Sequence, residues 1–177
     1  MRSMSLLICA AFCLPCVADP AAQPYPEPDM NAQIAAMAKL SFLLGDWQGN
    51  GYMDTARGRV EFHQTEKISM RQQGALLSIE GRGSAPSAPA DAKPQFEADA
   101  LLSFDDAGRE YRFYAFAQGR SGTFKAELAG PTTLRWYPGP VRYTISIESG
   151  QWHEIGERPD AKGDFVKFFE MTLQRSH

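Results

Sequence analysis

Apolar and polar residues alternate with a period of two along most of the chain after Trp47. Alternate residues of a β-strand point to the same face, so this pattern is typical of strands with one buried face. Clusters of Gly, Pro and Asp interrupt the alternation at hairpin spacing, as at Asp105–Gly108 and Gly119–Gly122. The clearest apolar-phase face carries Val60, Phe62, Gln64, Glu66, Ile68 and Met70.

These signals predict an all-β protein of roughly eight to ten short strands joined in sequence. Such a meander favours a single up-and-down antiparallel β-barrel, because closure removes exposed strand edges. A β-sandwich is the competing all-β arrangement. One short N-terminal helix is expected before the strands, capped by Asp29 or Asn31 and running to about Lys39.

The segment from Leu40 to Asp54 predicts how the barrel begins. An apolar run ends in Gly45-Asp46-Trp47, and Gly49 and Gly51 follow at alternate positions. On a strand, the Trp47 ring and the two glycines project to the same side. We expect Trp47 to plug the floor of the barrel while the glycines leave room or permit a bend.

The N-terminus predicts an exported protein. Residues 1–18 read as a signal peptide, with Arg2 followed by an apolar run and a cleavage site before Asp19. Residues 19–30 form a Pro-rich leader, and residues 31–177 form the barrel domain. We therefore expect a periplasmic or secreted location and no membrane insertion after signal cleavage.

Cysteine content and charge narrow the chemistry. All three cysteines, Cys9, Cys13 and Cys16, lie in the predicted signal, so the domain has no disulfide, thiolate ligand or Cys nucleophile. The net charge is −3, which argues against nucleic acid as a partner because such binding needs a basic excess or patch. Three scattered histidines show no metal-ligand spacing, so no metal site is predicted.

Gly45-Asp46-Trp47 at the start and Arg175 near the end resemble the pattern of calycins, the group that includes lipocalins and fatty-acid-binding proteins. That resemblance implies that Arg175 covers Trp47, with Gly45, Trp47 and Arg175 as structural residues. The domain from Leu40 to Arg175 is also similar to an uncharacterised family of bacterial lipocalin-like barrel proteins, which has no settled activity. The matching segments include Phe42–Gly51, Gln64–Glu66, Trp152–Gly156 and Phe168–Arg175.

Gly45 to Gly51 also resembles the opening of nitrobindin-type haem barrels, which hold the haem iron by a histidine near the C-terminal strands. His153 and His177 are the candidates by position. The sequence around them does not match the nitrobindin pattern. We therefore expect no haem and no other cofactor.

The alternation of apolar and polar residues also identifies candidate ligand-binding residues. Gln64 and Glu66 share the phase of Phe62 and Ile68, which would place an amide and a carboxylate among apolar side chains. Their alternative role is to partner an arginine, either Arg82, Arg112 or Arg142. Trp136, Tyr143 and Trp152 are expected to line a cavity, with ordinary core packing as the alternative. Glu154 is expected at a solvated strand end.

These residues favour a barrel that binds a small apolar or amphipathic molecule. No catalytic residue is predicted, because no nucleophile–base pair, nucleophile elbow or phosphate loop is present. An acid/base enzyme that uses Glu66 or Glu154 is one alternative. A packed barrel that acts through its surface, for example through the loop from Gly83 to Gln95, is the other. A cavity of roughly 300 Å³ or more inside the barrel would favour the binding protein or the enzyme over the packed barrel.

Overall fold

The turn signals in the sequence fall between ten β-strands in a computed structural model, which describes residues 27–89 and 92–176. Helix α1 and the first five strands are α1 (Met30–Ala38), β1 (Gly45–Thr55), β2 (Gly58–Arg71), β3 (Leu76–Ser84), β4 (Phe96–Asp105) and β5 (Glu110–Ala117). The remaining strands are β6 (Arg120–Gly130), β7 (Thr133–Tyr137), β8 (Arg142–Glu148), β9 (Gln151–Pro159) and β10 (Phe165–Arg175). Single 3₁₀ turns lie at Ser41–Leu43 and Gln72–Gly74.

Each strand pairs antiparallel with the next, and β1 closes the sheet by pairing with β10. The closing register places Trp47 opposite Arg175 and Gly49 opposite Leu173. Along the other edge of β1, Trp47 lies opposite Glu66. The predicted up-and-down barrel with one short helix is therefore confirmed, and the β-sandwich alternative is wrong, because closure leaves no edge strand.

Helix α1 covers the end of the barrel at which β1 begins, which we call the closed end. The Asp29 carboxylate caps the helix by accepting from the backbone N–H of Ala32 at 3.0 Å. Tyr111 donates its hydroxyl proton to the carbonyl of Ala36 at 2.8 Å, which fixes the helix to β5. The buried side chains of this lid are Ala36, Met37, Leu40 and Leu43.

The opposite end carries the hairpin turns β1–β2, β3–β4, β5–β6, β7–β8 and β9–β10, and we call it the open end. The fully buried core lies toward the closed end, around Trp47, Leu102 and Trp152. Large apolar side chains become exposed toward the open end. They are Val60, Phe96, Phe116, Phe165 and Val166.

The predicted signal peptide, residues 1–18, and most of the predicted leader, residues 19–30, lie outside the described residues. Helix α1 begins at Met30, the last residue assigned to the leader. Across residues 27–89 and 92–176, no helix has the length and apolar character needed to cross a bilayer.

Candidate functional site

The floor of the barrel is built by the three residues predicted to be structural. The guanidinium carbon of Arg175 lies 4.2 Å from the centroid of the Trp47 ring, as expected for a cation–π contact. Arg175 also donates to the backbone carbonyls of Phe42 and Leu44. Gly45 has a φ of +122°, and a side chain there would overlap the Arg175 guanidinium, so glycine is required. The indole N–H of Trp47 donates to the carbonyl of Leu43 at 2.9 Å.

Above this floor, β2 directs Gln64 and Glu66 into the barrel, where both are buried. The Gln64 amide donates to Glu66 Oε1 at 2.7 Å. The second carboxylate oxygen, Glu66 Oε2, is buried and has no hydrogen-bond partner among the described residues. Because buried polar atoms are nearly always paired, this oxygen marks a place that invites a donor.

Two glycines of the neighbouring strand make room for these side chains. Gly81 and Gly83 of β3 lie opposite Glu66 and Gln64 in register. A Cβ at Gly81 would lie 2.8 Å from Glu66 Oε1, and one at Gly83 would lie 2.9 Å from Gln64 Oε1. The two glycines therefore leave the space that the Gln64 and Glu66 side chains occupy against β3.

Glu154 of β9 also points into the barrel and is buried, so the expectation that it lies at a solvated strand end is wrong. It shares the phase of Trp152, which is fully buried, and five residues of β9 follow it. The indole N–H of Trp152 donates to Glu154 Oε2 at 3.3 Å. The alternation along β9 is the signal that places Glu154 inside the barrel.

The two interior acids, Glu66 and Glu154, hold their protons more tightly than ordinary carboxyls. Burial raises the pKa of Glu66 to about 7, and the hydrogen bond from Gln64 and the charge of Arg82 only partly oppose this. Burial, followed by the negative charge of Glu66, raises the pKa of Glu154 to about 8. The interior acids are therefore electrostatically coupled and titrate as a pair near neutral pH.

The arginines proposed as partners for Glu66 all pair elsewhere. Arg82 lies 2.9 Å from Asp99 and 3.4 Å from Glu97. Arg112 pairs with Glu110 at 2.5 Å, and Arg142 pairs with Glu157 at 2.7 Å. These pairs lie on the outer face of the barrel, so none of them neutralises the interior acids.

An aromatic stack lies across the barrel interior from β5 to β8. Trp136 stacks on Phe113 with ring centroids 4.5 Å apart and on Tyr143 with centroids 4.7 Å apart. Trp136 and Tyr143 point inward yet are only partly buried, so solvent reaches them from the open end. The Trp136 indole N–H is buried and has no acceptor within the described part of the chain. Burial, with the charge of Glu154, raises the pKa of Tyr143 to about 12.

The predicted ligand-binding residues thus fall into two groups. Gln64, Glu66, Trp136 and Tyr143 lie in the half of the barrel above the floor. Trp152 is 1% exposed and packs edge-on against Trp47 with centroids 5.6 Å apart, so its ring belongs to the floor and only its N–H reaches Glu154. Sequence reasoning did not identify Phe113 as part of this arrangement, and it gave Glu154 a role only as the acid/base residue of an alternative function.

Two depressions are found on the surface, and neither lies inside the barrel. One, of about 420 Å³, lies outside the open end beside Asp99, Phe116 and Arg120. The other, of about 230 Å³, lies between α1 and the β4–β5 turn, beside Lys39 and Phe104. Neither depression therefore provides the interior cavity of roughly 300 Å³ that would favour a binding or catalytic barrel.

The histidines contribute to the outer surface. His153 faces outward, with Nε2 2.9 Å from Glu170 Oε1, and His63 contacts the Asn50 amide at 3.2 Å. His177 lies outside the described residues. No group of three His, Cys, Asp or Glu side chains within residues 27–89 and 92–176 is arranged to hold a metal ion.

Comparison with known proteins gives a fold but no family. No family model matches the chain, and no curated protein does. The structure is similar to the crystal structure of Rv2717c from M. tuberculosis, with a TM-score of 0.59 and 13% sequence identity. The similarity covers 80% of this chain and 98% of that one. At this level of identity it supports the β-barrel fold and carries no information on activity.

Proposed function

We propose that this protein binds a small amphipathic molecule in the open half of the barrel. The polar end of the ligand lies against Glu66, Glu154 and Gln64, and its apolar body lies against the aromatic stack of Phe113, Trp136 and Tyr143. The observation that carries the proposal is the unpartnered Glu66 Oε2 inside the barrel. The resemblance of Gly45–Trp47 and Arg175 to calycins, many of which carry apolar ligands, also supports it.

The energetics favour a ligand over a purely structural role. Leaving a buried polar atom unpaired costs roughly 1–3 kcal/mol, and more when the group is charged. Glu66 has this cost on one oxygen, and Glu154 has a single 3.3 Å hydrogen bond from Trp152. A donor placed between the interior acids would remove the cost, which is how a few polar groups orient a ligand in an aromatic site.

The aromatic stack supplies the contact area. Trp136 and Tyr143 are rigid and flat, and their partial exposure leaves ring surface for a ligand. The unpaired Trp136 N–H would donate to an acceptor on the same molecule.

An acid/base enzyme is the second candidate, because the pKa values of Glu66 and Glu154, about 7 and about 8, suit proton transfer near neutral pH. The interior acids would then act on the bound molecule. Binding without turnover supports the first candidate, and conversion of the molecule supports the second.

The test is native mass spectrometry of the full chain expressed with its own N-terminus and purified from the exported fraction. We expect a mass corresponding to a chain that begins at Asp19, plus a non-covalent small molecule. Glu66→Gln should lose that molecule, whereas Glu61→Gln, on the outward face of the same strand, should retain it.

Three outcomes would contradict these proposals. A chain that still begins at Met1, or carries lipid on Cys13 or Cys16, would refute the proposed signal cleavage. A bound molecule that Glu66→Gln retains in full would remove Glu66 from the binding site. A ligand-free exported protein that also fails to take up small amphipathic compounds would refute the binding function.

A further inference from the structure

We infer that the polar end of the ligand is a protonated amine. This inference rests on the proposed function and adds the chemical class of the ligand. Two observations carry it. The interior of the barrel holds two carboxyl groups with no facing cation, and one oxygen of Glu66 is unpartnered.

The charge imbalance follows from the register of the strands. Between the two ends of the barrel, the inward-facing positions of the described strands carry no Lys, Arg or His. The arginines in inward phase sit at the ends: Arg120 and Arg158 at the open end and Arg175 on the floor against Trp47. Neither interior acid forms an ion pair with a side chain of the described residues. A cation supplied by a ligand would complete the site.

The hydrogen-bonding groups also match an ammonium. An ammonium offers three donors and no acceptor. Glu66 Oε2 is free to accept, and the carboxylate of Glu154 has only the long bond from Trp152. The aromatic stack supplies apolar contact for the body of the ligand and no free Trp136 face for the cation, because Phe113 and Tyr143 stack on that ring. A carboxylate or phosphate head group would instead be repelled once the interior acids ionise, at and above neutral pH.

The amine should bind more tightly as the pH rises from 6 to 8. Burial raises the pKa of both interior acids, so at low pH both are neutral and offer no charge to an ammonium. The groups that face them inside the barrel are Gln64 on the same strand as Glu66, and Trp152 and Tyr143 from β9 and β8, while the charge of Arg82 acts on Glu66 from the outer face of β3. None of these changes charge between pH 6 and 8, so the interior acids would govern the profile.

The experiment is isothermal titration calorimetry of the purified protein with matched probes that share one body. The first series is 2-phenylethylamine, 2-phenylethanol and phenylacetate, and the second is decylamine, decanol and decanoate below their micelle concentrations. At pH 7.5 we expect the amine to bind roughly tenfold or more tightly than the alcohol, and the acid to bind weakest.

Variants test whether Glu66 and Glu154 cause the preference for the amine. Glu66→Gln and Glu154→Gln should each weaken amine binding roughly tenfold while changing alcohol binding by less than about threefold. Glu61→Gln should change neither. Circular dichroism of each variant separates loss of binding from loss of fold.

The outcomes distinguish this inference from the function on which it rests. If an alcohol or acid binds as tightly as the matched amine, the amine inference is wrong and the binding function stands. If the amine preference survives Glu66→Gln and Glu154→Gln, the interior acids are not its cause and the inference is wrong. If no probe binds, the amine inference is also overturned, whereas the binding function is judged by the co-purified molecule.

Discussion

At the scale of single residues, burying the two interior acids costs free energy. The barrel wall leaves room for their carboxyl groups but does not supply all their hydrogen-bond partners. Gly81 clears space for the Glu66 carboxylate, yet it offers no donor to Glu66 Oε2. Buried carboxyls without a cation keep their protons, since the neutral form is cheaper to desolvate. The state of this site therefore depends on pH.

The first prediction concerns stability against pH. The pKa of Glu66 is raised from 4.5 to about 7 and that of Glu154 from 4.5 to about 8. A folded-state pKa above the unfolded value means that the native state binds the proton more tightly, so the stability this contributes is complete below about pH 4.5. We expect the free energy of unfolding to fall between about pH 4.5 and 8, where the unfolded chain has released these protons and the native state still holds them, by roughly 3 kcal/mol for Glu66 in the ligand-free protein.

Urea denaturation at pH 5, 7 and 9 measures this dependence. Glu66→Gln keeps the shape of the neutral acid, so it should make the profile shallower, with the contribution of Glu154 remaining, and make the variant more stable than the wild type at pH 9. Glu61→Gln, on the outward face of β2, should follow the wild-type curve. Glu170, whose pKa is lowered to about 2 first by Lys167 and then by His153, titrates below this window. If the free energy of unfolding of the wild type does not change between pH 5 and 9, the raised pKa values of Glu66 and Glu154 are wrong.

Alternation in the sequence was enough to place Gln64 and Glu66 on the apolar-phase face of β2, where they lie in the structure. The same rule applied to β9 identifies Glu154, but the expectation of a solvated strand end overrode it. The partners of each side chain were not predictable, because they come from strands distant in sequence. Gly81 and Phe113 contribute through register alone.

At the scale of elements, the junction between the last strand and the first is held by a long-range contact. Arg175 of β10 reaches the Trp47 ring of β1 and the carbonyls of Phe42 and Leu44 at the 3₁₀ turn. One side chain thus satisfies backbone groups before the first strand while covering the ring at its start.

The second prediction is that Arg175→Ala destabilises the protein by about 1–3 kcal/mol, because the ring loses its cation and two carbonyls lose a charged donor. Arg59→Ala is the matched control. Arg59 lies 3.7 Å from the centroid of Tyr52 and pairs with Asp54 at 2.8 Å, but it is exposed at a hairpin. Its loss should therefore destabilise the protein clearly less than that of Arg175. Equal losses in thermal or urea denaturation would show that Arg175 has no special role in closing the barrel.

The sequence predicted the ends of helices and strands where a capping or turn residue marks them. The Asp29 cap and the helix to Ala38 match the expected start and end of the helix, because a capping carboxylate acts within one turn. The hairpins at Asp105–Gly108 and Gly130–Pro131 also follow from their turn residues. The burial of α1 across the closed end was not predictable, since it depends on Tyr111 of β5 and on Asp106 of the β4–β5 turn, which are distant from α1 in sequence.

At the scale of the whole molecule, closure of the sheet decides what the barrel can hold. The meander of hairpins in the sequence favoured a barrel, but a sandwich uses the same local signals. Only the pairing of β1 with β10 distinguishes the two, and that pairing joins the ends of the domain. The contents of the barrel follow from this closure, because it brings Glu66 and Glu154 within electrostatic reach of each other.

The third prediction tests this closure. Gly49 lies opposite Leu173 at the β1–β10 seam, and a Cβ there would overlap the carbonyl oxygen of Thr172. Backbone cannot yield as a flexible side chain can, so Gly49→Ala must push the two strands apart. We expect a loss of about 2 kcal/mol or more and faster amide hydrogen exchange along β1 and β10 than along β4 and β5.

Gly130→Ala is the control, because the nearest atom to a Cβ at that position is Thr133 Oγ1 at 3.3 Å, outside the seam. It should cost less than about 1 kcal/mol and leave exchange at the seam unchanged. In the wild type, the amides of β1 and β10 should be protected as well as those of β4 and β5, since a closed barrel has no free edge. Rapid exchange at the wild-type seam would show that the sheet is open, and a Gly49→Ala protein with wild-type stability and exchange would show that the two strands are not packed as described.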